Sequence, residues 1–348
     1  MKKPKAIDLF CGAGGLTLGL RQAGFDVVAA VELDSVAWMT YRANHSRVHA
    51  INDDITNISP RGLMAQLGLK KGELDLLAGC PPCQGFSTLR TRNKQSAVSD
   101  KRNDLIFEFL RFVEQMLPKA VMMENVPALA KNDRIKVVLA RLQTLGYLVD
   151  ESTVTVQDAS AFGVPQRRRR MIMLTSRLGK LEPAKRVAMK KTVREVIASL
   201  PRPGKSSDPL HSSQIQHSEK VTTLIKHVPK DGGSRADLPQ ALWLDCHKRY
   251  PDGFRDVYGR MKWDDVAPTI TGGCVNPSKG RFLHPEQDRA ISLREAALLQ
   301  TFPENYFFPI EMGRDRVALM IGNALPPEFI RRHASTIRKH LDRETKHD

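Results

Sequence analysis

A cysteine that follows a predicted buried strand is the first candidate for chemistry in this sequence. The apolar run 74–78 is short and continuous, which is typical of a strand inside a parallel sheet. Pro81 and Pro82 end that strand and restrict the backbone, so Cys83 is expected on a rigid turn beyond its carboxyl end. Ligands of open α/β sheets bind at that edge, and a thiol held there is a candidate nucleophile.

An acid and two arginines could serve the same reaction. The next predicted strand along the chain, 120–123, ends directly before Glu124. Arg168 and Arg170 stand at alternate positions of an extended segment, which places both side chains on one side, where they could bind a carbonyl oxygen, a phosphate or Glu124. Together these groups suit conjugate addition of the thiol to an electron-poor ring, with the acid protonating a ring nitrogen.

Cys80 and Cys83 also have the spacing of a redox pair or of half a zinc site. A redox dithiol of this kind begins a helix, whereas a long polar segment follows here. A zinc site needs two further ligands, and Cys246 and Cys274 are isolated single residues. The pair alone leaves redox, zinc and no special role open. Glu124 and the arginines favour Cys83 as a nucleophile and leave Cys80 as a bystander in the turn.

A glycine turn and two acidic residues near the N-terminus indicate a nucleoside site. The turn 12–15 follows the first predicted strand, and Glu32 ends the second, at the spacing at which an acid accepts hydrogen bonds from a ribose. Thr17 replaces the third glycine of the dinucleotide fingerprint, so an adenosine ligand without a pyrophosphate fits better. Asp54 follows the third strand and could accept a hydrogen bond from the amine of adenine, or simply cap a helix.

The elements that position these groups alternate between strand and helix as far as about residue 175. That alternation predicts an α/β fold with a doubly wound, mainly parallel sheet. The following region is rich in proline, glycine, serine, histidine and basic residues and predicts a second domain with little regular helix. We therefore expect a catalytic domain at 1–180, a second domain at 181–285 and C-terminal helices that return to the first domain at 286–348.

The C-terminal part carries two helix signals and one signal against helix. Ser292 and Glu295 form a capping box at the start of a helical pattern. A final helix is predicted from Glu328. From Arg331 onward the polar composition predicts a tail that frays.

The charge of the chain favours a polyanionic partner. The net charge is +16, and the segment 161–205 holds thirteen Lys and Arg against two acidic residues. Such a field attracts nucleic acid, although a solvated basic surface explains a charge run equally well. The sequence lacks both a run of about 18 apolar residues and the apolar stretch of a signal peptide, so neither a membrane span nor secretion is expected. The odd count of five cysteines favours free thiols in a reducing compartment.

Six motifs occur along the chain in the order typical of one enzyme family. They stand at 8–15, 79–87, 124–126, 166–170, 294–303 and 322–324. Each motif alone is a weak signal, whereas six in register are a strong one. With these motifs the chain resembles the bacterial-type C5-cytosine-specific DNA methyltransferases over nearly its whole length. The resemblance implies the Rossmann-like sheet of S-adenosylmethionine-dependent methyltransferases, with a smaller, irregular target-recognition domain.

The resemblance also implies a role for individual residues. Cys83 would add to C6 of cytosine, Glu124 would contact N3 and the amino group, and Arg170 with Arg168 would hold the O2 carbonyl. The activated C5 would then take the methyl group of S-adenosylmethionine. The implied cofactor residues are Phe10, Gly12, Gly14, Gly15, Glu32, Asp54, Ile55, Leu105, Asn323 and Ala324. The implied substrate contacts are Pro81, Gln84, Ser87, Gln166 and Thr271.

By the same resemblance the substrate is double-stranded DNA, and the target cytosine must be flipped out of the duplex. The region 181–285 would recognise the DNA sequence, and the basic loop 87–104 would close on the DNA. The resemblance implies a monomer without metal or membrane partners, in the bacterial cytoplasm and associated with the nucleoid through DNA. It would be the modification enzyme of a restriction-modification system or an orphan methylase.

Three alternative functions differ from this one in the substrate or in the class of protein. A tRNA cytosine-5 methyltransferase of the same fold is disfavoured because the region 181–285 is long for a tRNA enzyme. A catalytically inactive DNA-binding regulator is disfavoured because Cys83, Glu124 and both arginines are present. A flavin or nicotinamide dehydrogenase is disfavoured by the missing third glycine.

Overall fold

The computed structural model describes residues 3–82, 104–212, 215–251, 253 and 255–344. The chain divides into two compact units. The first unit comprises Met1–Phe162, Arg169–Arg186 and Leu325–Asp348. The second unit comprises Gly163–Arg168 and Val187–Ala324. Residues 286–324 thus belong to the second unit by their contacts, whereas the division by role into 1–180, 181–285 and 286–348 stays a prediction.

The first unit is built on a seven-stranded sheet in the order β3-β2-β1-β4-β5-β7-β6. The strands are β1 Lys5–Leu9, β2 Asp26–Glu32, β3 His49–Asn52, β4 Leu76–Gly79, β5 Ala120–Asn125, β6 Val154–Asp158 and β7 Arg169–Ser176. Strands β1 to β5 pair in parallel, and β7 runs antiparallel to both β5 and β6. The order moves outward from β1 and β4 in both directions, which confirms the predicted doubly wound, mainly parallel α/β sheet.

Helices cover the sheet of the first unit. They are α1 Gly15–Gln22, α2 Ser35–Asn44, α3 Pro60–Gln66, α4 Leu105–Met116, α5 Asp133–Thr144 and, from the C-terminal segment, α12 Pro327–Glu344. Every residue of β4 and β5 is buried, as expected for central strands with helices on both faces. The core beneath α4 joins Phe109 and Phe112 to Leu77 and Val121 of the sheet.

The last helix contradicts the predicted fraying after Arg331. Helix α12 continues to Glu344, and Ile330, Ala334, Ile337 and Leu341 are all buried. These residues recur at spacings of three and four, so one apolar face packs inward while the charged residues take the other face. Composition alone hid this pattern because arginine, lysine and glutamate outnumber the apolar residues.

The second unit is held together with little regular structure. Its helices are α6 Arg194–Ile197, α7 Pro209–Ser212, α8 Glu219–His227, α9 Asp245–Arg249, α10 Leu293–Leu299 and α11 Arg314–Asn323. The predicted capping box of Ser292 and Glu295 begins α10. Arg260 is fully buried, and its guanidinium donates to the carbonyl oxygens of Val228 and Ile225 and pairs with Asp288. These two carbonyl groups lie at the end of α8, where the regular hydrogen bonding of the helix stops.

Candidate active site

The acid Glu124 and the thiol of Cys80 meet where two parallel strands end. The register pairs Gly79 of β4 with Met123 of β5, so Cys80 and Glu124 each stand one residue farther along. The Sγ–H of Cys80 donates to Oε2 of Glu124 across 2.8 Å. The carboxyl group is buried, at 2% relative exposure. Cys80 was expected to be a bystander in the turn. Its contacts contradict that expectation, because its thiol binds the predicted catalytic acid.

Arg170 approaches the same carboxyl group from the other side. Strand β7 runs antiparallel to β5 with Asn125 opposite Met171, which brings the preceding Arg170 to the end of β5. Its Nε lies 2.9 Å from Oε1 of Glu124. Oε1 receives no well-directed hydrogen bond, so the contact is an ion pair rather than a linear hydrogen bond. The acid thus lies between a thiol donor and a guanidinium cation, which together fix the orientation of its carboxyl group.

The turn that leads to Cys83 is anchored on both sides. The side-chain Nδ2 of Asn125 donates to the carbonyl oxygen of Pro81 across 2.9 Å. The backbone N–H of Cys80 donates to the carbonyl oxygen of Leu9 in β1. Asn125 is buried and adjoins the predicted catalytic acid, and the sequence did not indicate this contact although the residue stands in the acid motif. Cys83, Gln84, Ser87 and most of the predicted loop 87–104 lie outside the described residues.

The predicted cofactor turn follows β1 in a left-handed backbone conformation. Phe10, Gly12 and Gly14 have φ values of 64°, 54° and 100°. Gly12 and Gly14 adopt these angles without strain because they have no Cβ atom. Gly14 caps α1, and Gly15 is the first, buried residue of that helix.

Glu32 stands at the end of β2, as predicted, and its side chain contacts this turn. Its Oε2 accepts from the N–H of Gly12, and its Oε1 accepts from the N–H of Asp34, each across 2.8 Å. Burial raises the pKa of Glu32 above its usual value. Each carboxylate oxygen can accept a further hydrogen bond, so the arrangement suits a pair of ribose hydroxyls.

The third predicted cofactor contact lies after β3. Asp54 caps the short 3₁₀ helix Ile55–Asn57, and Oδ1 accepts from both the N–H and the hydroxyl of Thr56. These bonds lower the pKa of Asp54. Ile55 is buried and Leu105 is partly buried against the same core. The capping role is thus present, and a contact of Asp54 with adenine stays a prediction.

The remaining predicted residues lie in the second unit and serve its backbone. Arg168 is buried and donates to the carbonyl oxygens of Ile270 and Gly322, at 3.0 and 3.1 Å. Gln166 accepts from the N–H of Ile270 and donates to Gln300. Gln300, in the motif at 294–303, was not singled out from the sequence.

Three further predicted residues of this unit have no contact that tests their roles. Thr271 directly follows Ile270, Asn323 ends α11 and is exposed, and Ala324 follows it. Their predicted contacts with substrate and cofactor stay predictions.

The part of the chain that the structure describes offers neither a metal site nor a membrane-spanning helix. It contains no group of three His, Cys, Asp or Glu side chains that could hold a metal ion. None of its helices is long and apolar enough to cross a membrane.

Comparison with known proteins agrees with this geometry. Residues 4–339 match the family of C-5 cytosine-specific DNA methylases. The chain is 37% identical over 349 residues to the Type II methylase M.HgiDII of Herpetosiphon aurantiacus, covering 97% of this chain and 95% of that protein. It is 32% identical over 342 residues to the Type II methyltransferase M1.HphI of Haemophilus parahaemolyticus, covering 96% and 86%.

A solved structure extends the likeness to the fold. An E. coli protein assigned as a prophage-encoded DNA modification methyltransferase matches with a TM-score of 0.75 and 22% identity, covering 98% of this chain and 100% of that one. The family match and the fold confirm the resemblance inferred from the six motifs. The chain belongs to the C-5 cytosine-specific DNA methylase family.

Proposed function

We propose that this protein transfers a methyl group from S-adenosylmethionine to C5 of a flipped-out cytosine in a specific double-stranded DNA sequence. The observation that carries the proposal is the position of Glu124, buried between Cys80 and Arg170 at the sheet edge from which the chain continues to Cys83. A carboxyl group held there, beside the end of β4 from which the chain reaches Cys83 four residues later, suits acid-assisted covalent catalysis.

The proposed reaction begins at the cytosine ring. The thiolate of Cys83 forms a bond to C6, while Glu124, in its protonated form, accepts from the amino group and gives its proton to N3. The electron pair of the C5–C6 double bond moves into the ring, so that C5 becomes the nucleophilic carbon of an enamine. Arg170, paired with Glu124, holds the O2 carbonyl, and Arg168 is proposed to assist it.

The second half of the reaction restores the ring. C5 forms its bond to the methyl group as the methyl–sulfur bond breaks, and the electron pair of that bond stays on the sulfur of S-adenosylhomocysteine. A base then removes the proton from C5, and N3 returns its proton to Glu124. The electron pair of that C–H bond re-forms the C5–C6 double bond and expels the thiolate of Cys83. The product is 5-methylcytosine, and the thiol is ready for another turnover.

The residues at the ends of β1, β2 and β3 fit the proposed cofactor. S-Adenosylmethionine, when bound, supplies the methyl group from its sulfonium centre. Glu32 would hold the ribose hydroxyls, because each of its oxygens accepts one backbone N–H, from Gly12 or from Asp34, and can accept a further hydrogen bond. Asp54 with Ile55 would hold the adenine, and Phe10 with the glycines would line the methionine side.

DNA is the proposed macromolecular partner. The basic segment 161–205 would bind phosphates, which position the duplex without specifying its sequence. Pro81, Gln84, Ser87, Gln166 and Thr271 are the proposed contacts to the substrate. Because the similar proteins are named Type II methylases, we propose a modification enzyme of a restriction-modification system, which protects its own recognition sequence by methylation.

Sequencing of methylated cytosines tests activity, product and specificity together. Genomic DNA, treated with the protein and S-adenosylmethionine, should gain 5-methylcytosine at one short recurrent sequence, and the Cys83→Ser variant should leave the DNA unmodified. Methylation of tRNA but not of duplex DNA would reject DNA as the substrate. Turnover by Cys83→Ser would reject the covalent step.

A fluorinated substrate isolates the covalent step itself. DNA that carries 5-fluorocytosine at the target should form a stable adduct with the protein, because fluorine cannot leave C5 as a proton does. The adduct should migrate as a protein–DNA species in denaturing electrophoresis. Active protein that forms no adduct would contradict attack at C6.

A further inference from the structure

A row of buried polar side chains behind the glycine turn has no part in the proposed reaction. Its members lie on β1, α1 and α2 and are at most 2% exposed: Asp8, Thr17, Tyr41 and His45. A buried polar group destabilises the folded state unless it is hydrogen-bonded. The hydrogen bonds within the row therefore help to hold its elements in place.

The first part of the row joins β1, α1 and α2. The hydroxyl of Thr17 donates to Oδ2 of Asp8 across 2.7 Å. The Tyr41 hydroxyl lies 2.9 Å from the same Thr17 oxygen. Thr17 has one hydroxyl proton, and Asp8 receives it, so Tyr41 is the donor in the second bond. These two hydrogen bonds fix α2 against the start of α1.

His45, which directly follows α2, continues the row to the cofactor turn. Its ring lies 4.8 Å from the ring of Tyr41. Nη1 of Arg21 lies 3.2 Å from Nδ1 of His45, and because arginine can only donate, Nδ1 is an acceptor. The ring also donates a hydrogen bond to the backbone carbonyl of Gly14. Nε2 must therefore carry the proton, and the imidazole is neutral, consistent with burial that lowers its pKa to about 4.

The carbonyl of Gly14 controls one peptide group of the turn. It also accepts from the N–H of Leu18, so two donors hold it toward the helix interior. In a trans peptide the N–H points opposite to the carbonyl, so fixing this carbonyl fixes the direction of the Gly15 N–H. Gly14 has a φ of 100°. A glycine can adopt several other backbone conformations unless a contact holds it in one of them.

We infer that His45 is a positioning residue for the cofactor, which holds the Gly14–Gly15 peptide in its binding orientation through the hydrogen bond to the Gly14 carbonyl. The Asp8–Thr17–Tyr41 chain keeps α2 where His45 can reach that carbonyl. This inference rests on the proposed function, because it assumes that the glycine turn binds S-adenosylmethionine.

Two substitutions separate this role from simple packing. The amide nitrogen of glutamine can reach the place of Nε2, so His45→Gln keeps a donor for Gly14. Asparagine reaches only the place of Nδ1, so His45→Asn removes that donor and keeps an acceptor for Arg21. His49→Asn, on an exposed histidine of β3, is the matched control.

The measurement is calorimetric binding of S-adenosylhomocysteine without DNA, followed by KM for S-adenosylmethionine and kcat. We expect His45→Asn to weaken binding and to raise KM by about five- to tenfold, with kcat at saturation unchanged. His45→Gln should remain within about threefold of the unmodified protein. The melting temperature of each ligand-free variant shows whether it is folded.

The outcomes distinguish the inference from its premise. Binding by His45→Asn equal to that of the unmodified protein would overturn the positioning role. Equal loss in His45→Asn and His45→Gln, in step with their melting temperatures, would also overturn it, because it would show a packing role only. If the unmodified protein binds neither S-adenosylhomocysteine nor S-adenosylmethionine, the proposed cofactor is wrong.

Discussion

The thiol of Cys80 donates a hydrogen bond to Oε2 of Glu124 across 2.8 Å, from the end of one parallel strand to the end of the next. A hydrogen bond from an uncharged donor fixes the direction of a carboxyl group without neutralising it. Arg170 binds the opposite oxygen of the same group. The orientation of the proposed catalytic acid thus depends on a cysteine that is not the proposed nucleophile.

Removing this thiol should slow the reaction without abolishing it. We expect Cys80→Ala to lower the single-turnover rate of methylation about fivefold, because one hydrogen bond to the acid is lost. Cys80→Ser retains a donor and should stay near the original rate. Rapid-quench measurement at saturating DNA gives both rates. An unchanged rate in Cys80→Ala would show that the contact has no catalytic effect.

The acid itself should matter far more. Glu124→Gln keeps the size of the side chain but can neither give a proton to N3 nor pair with Arg170, so we expect kcat to fall about 10²- to 10⁴-fold. DNA affinity, measured by fluorescence anisotropy, should change little. Glu114→Gln is the matched control, since Glu114 is ion-paired with Arg141 outside the site. A kcat within threefold of the original would remove Glu124 from the mechanism.

Asp8 should make stability fall with rising pH. Burial raises the pKa of Asp8 from 3.8 to about 7, with the nearby Glu32 adding to the effect. Below pH 4 both folded and unfolded states hold the proton, so Asp8 has no effect there. Between about pH 4 and pH 7 only the folded state retains it, and the free energy of unfolding loses up to about 4 kcal/mol.

The Asp8→Asn variant isolates that effect. Asparagine does not titrate, so its free energy of unfolding relative to the original protein should increase from pH 4 to pH 7 and then level off. Urea unfolding of both proteins at several pH values measures this difference, and the contributions of titrating groups that do not interact with Asp8 cancel. A difference that does not vary with pH would contradict the raised pKa.

A glycine of α1 should be indispensable for packing against α12. A Cβ atom at Gly19 would lie 2.5 Å from the carbonyl oxygen of Pro327 and 2.6 Å from Cβ of Ile330. We expect Gly19→Ala to lower the free energy of unfolding by about 1–3 kcal/mol. A Cβ atom at Gly62 of α3 would lie 3.4 Å from its nearest neighbour, Cβ of Ser59. Gly62→Ala should therefore raise the free energy of unfolding by up to about 1 kcal/mol. Thermal unfolding of both variants tests the contrast.

DNA affinity should depend steeply on salt. If the basic segment neutralises about six phosphates, affinity falls about 10³-fold between 50 and 200 mM salt. Alanine at both Lys190 and Lys191 should reduce the slope by about 2 if both contact phosphates, whereas alanine at Lys70 and Lys71, an exposed pair outside the segment, should leave it unchanged. A slope near zero would contradict a polyanionic partner.

Much of the fold and of the cofactor side of the site is local information. Short apolar strands alternate with amphipathic helices, and parallel strands place their carboxyl ends on one edge, so the edge positions of Glu32, Asp54 and Glu124 follow from the strand pattern alone. The spacing of Gly12 and Glu32 predicted a ribose site, and the hydrogen bond between the two residues places Glu32 beside the glycine turn, while the ribose contact stays a prediction. The prediction of a frayed tail after Arg331 was wrong because it relied on composition. The few apolar residues of this charged helix indicate a buried face only through their spacing.

Only the tertiary structure decided which side chains meet. Contact between Cys80 and Glu124 depends on the register of β4 against β5, and the contact of Arg170 depends on β7 running antiparallel; neither is encoded in nearby residues. The alternation of Arg168 and Arg170 predicted a shared side, yet β7 begins at Arg169, so the period of a strand does not extend to Arg168. The sequence by itself determined the motifs and the elements that carry them. Strand direction and register, which are set by packing across the whole sheet, decided their partners.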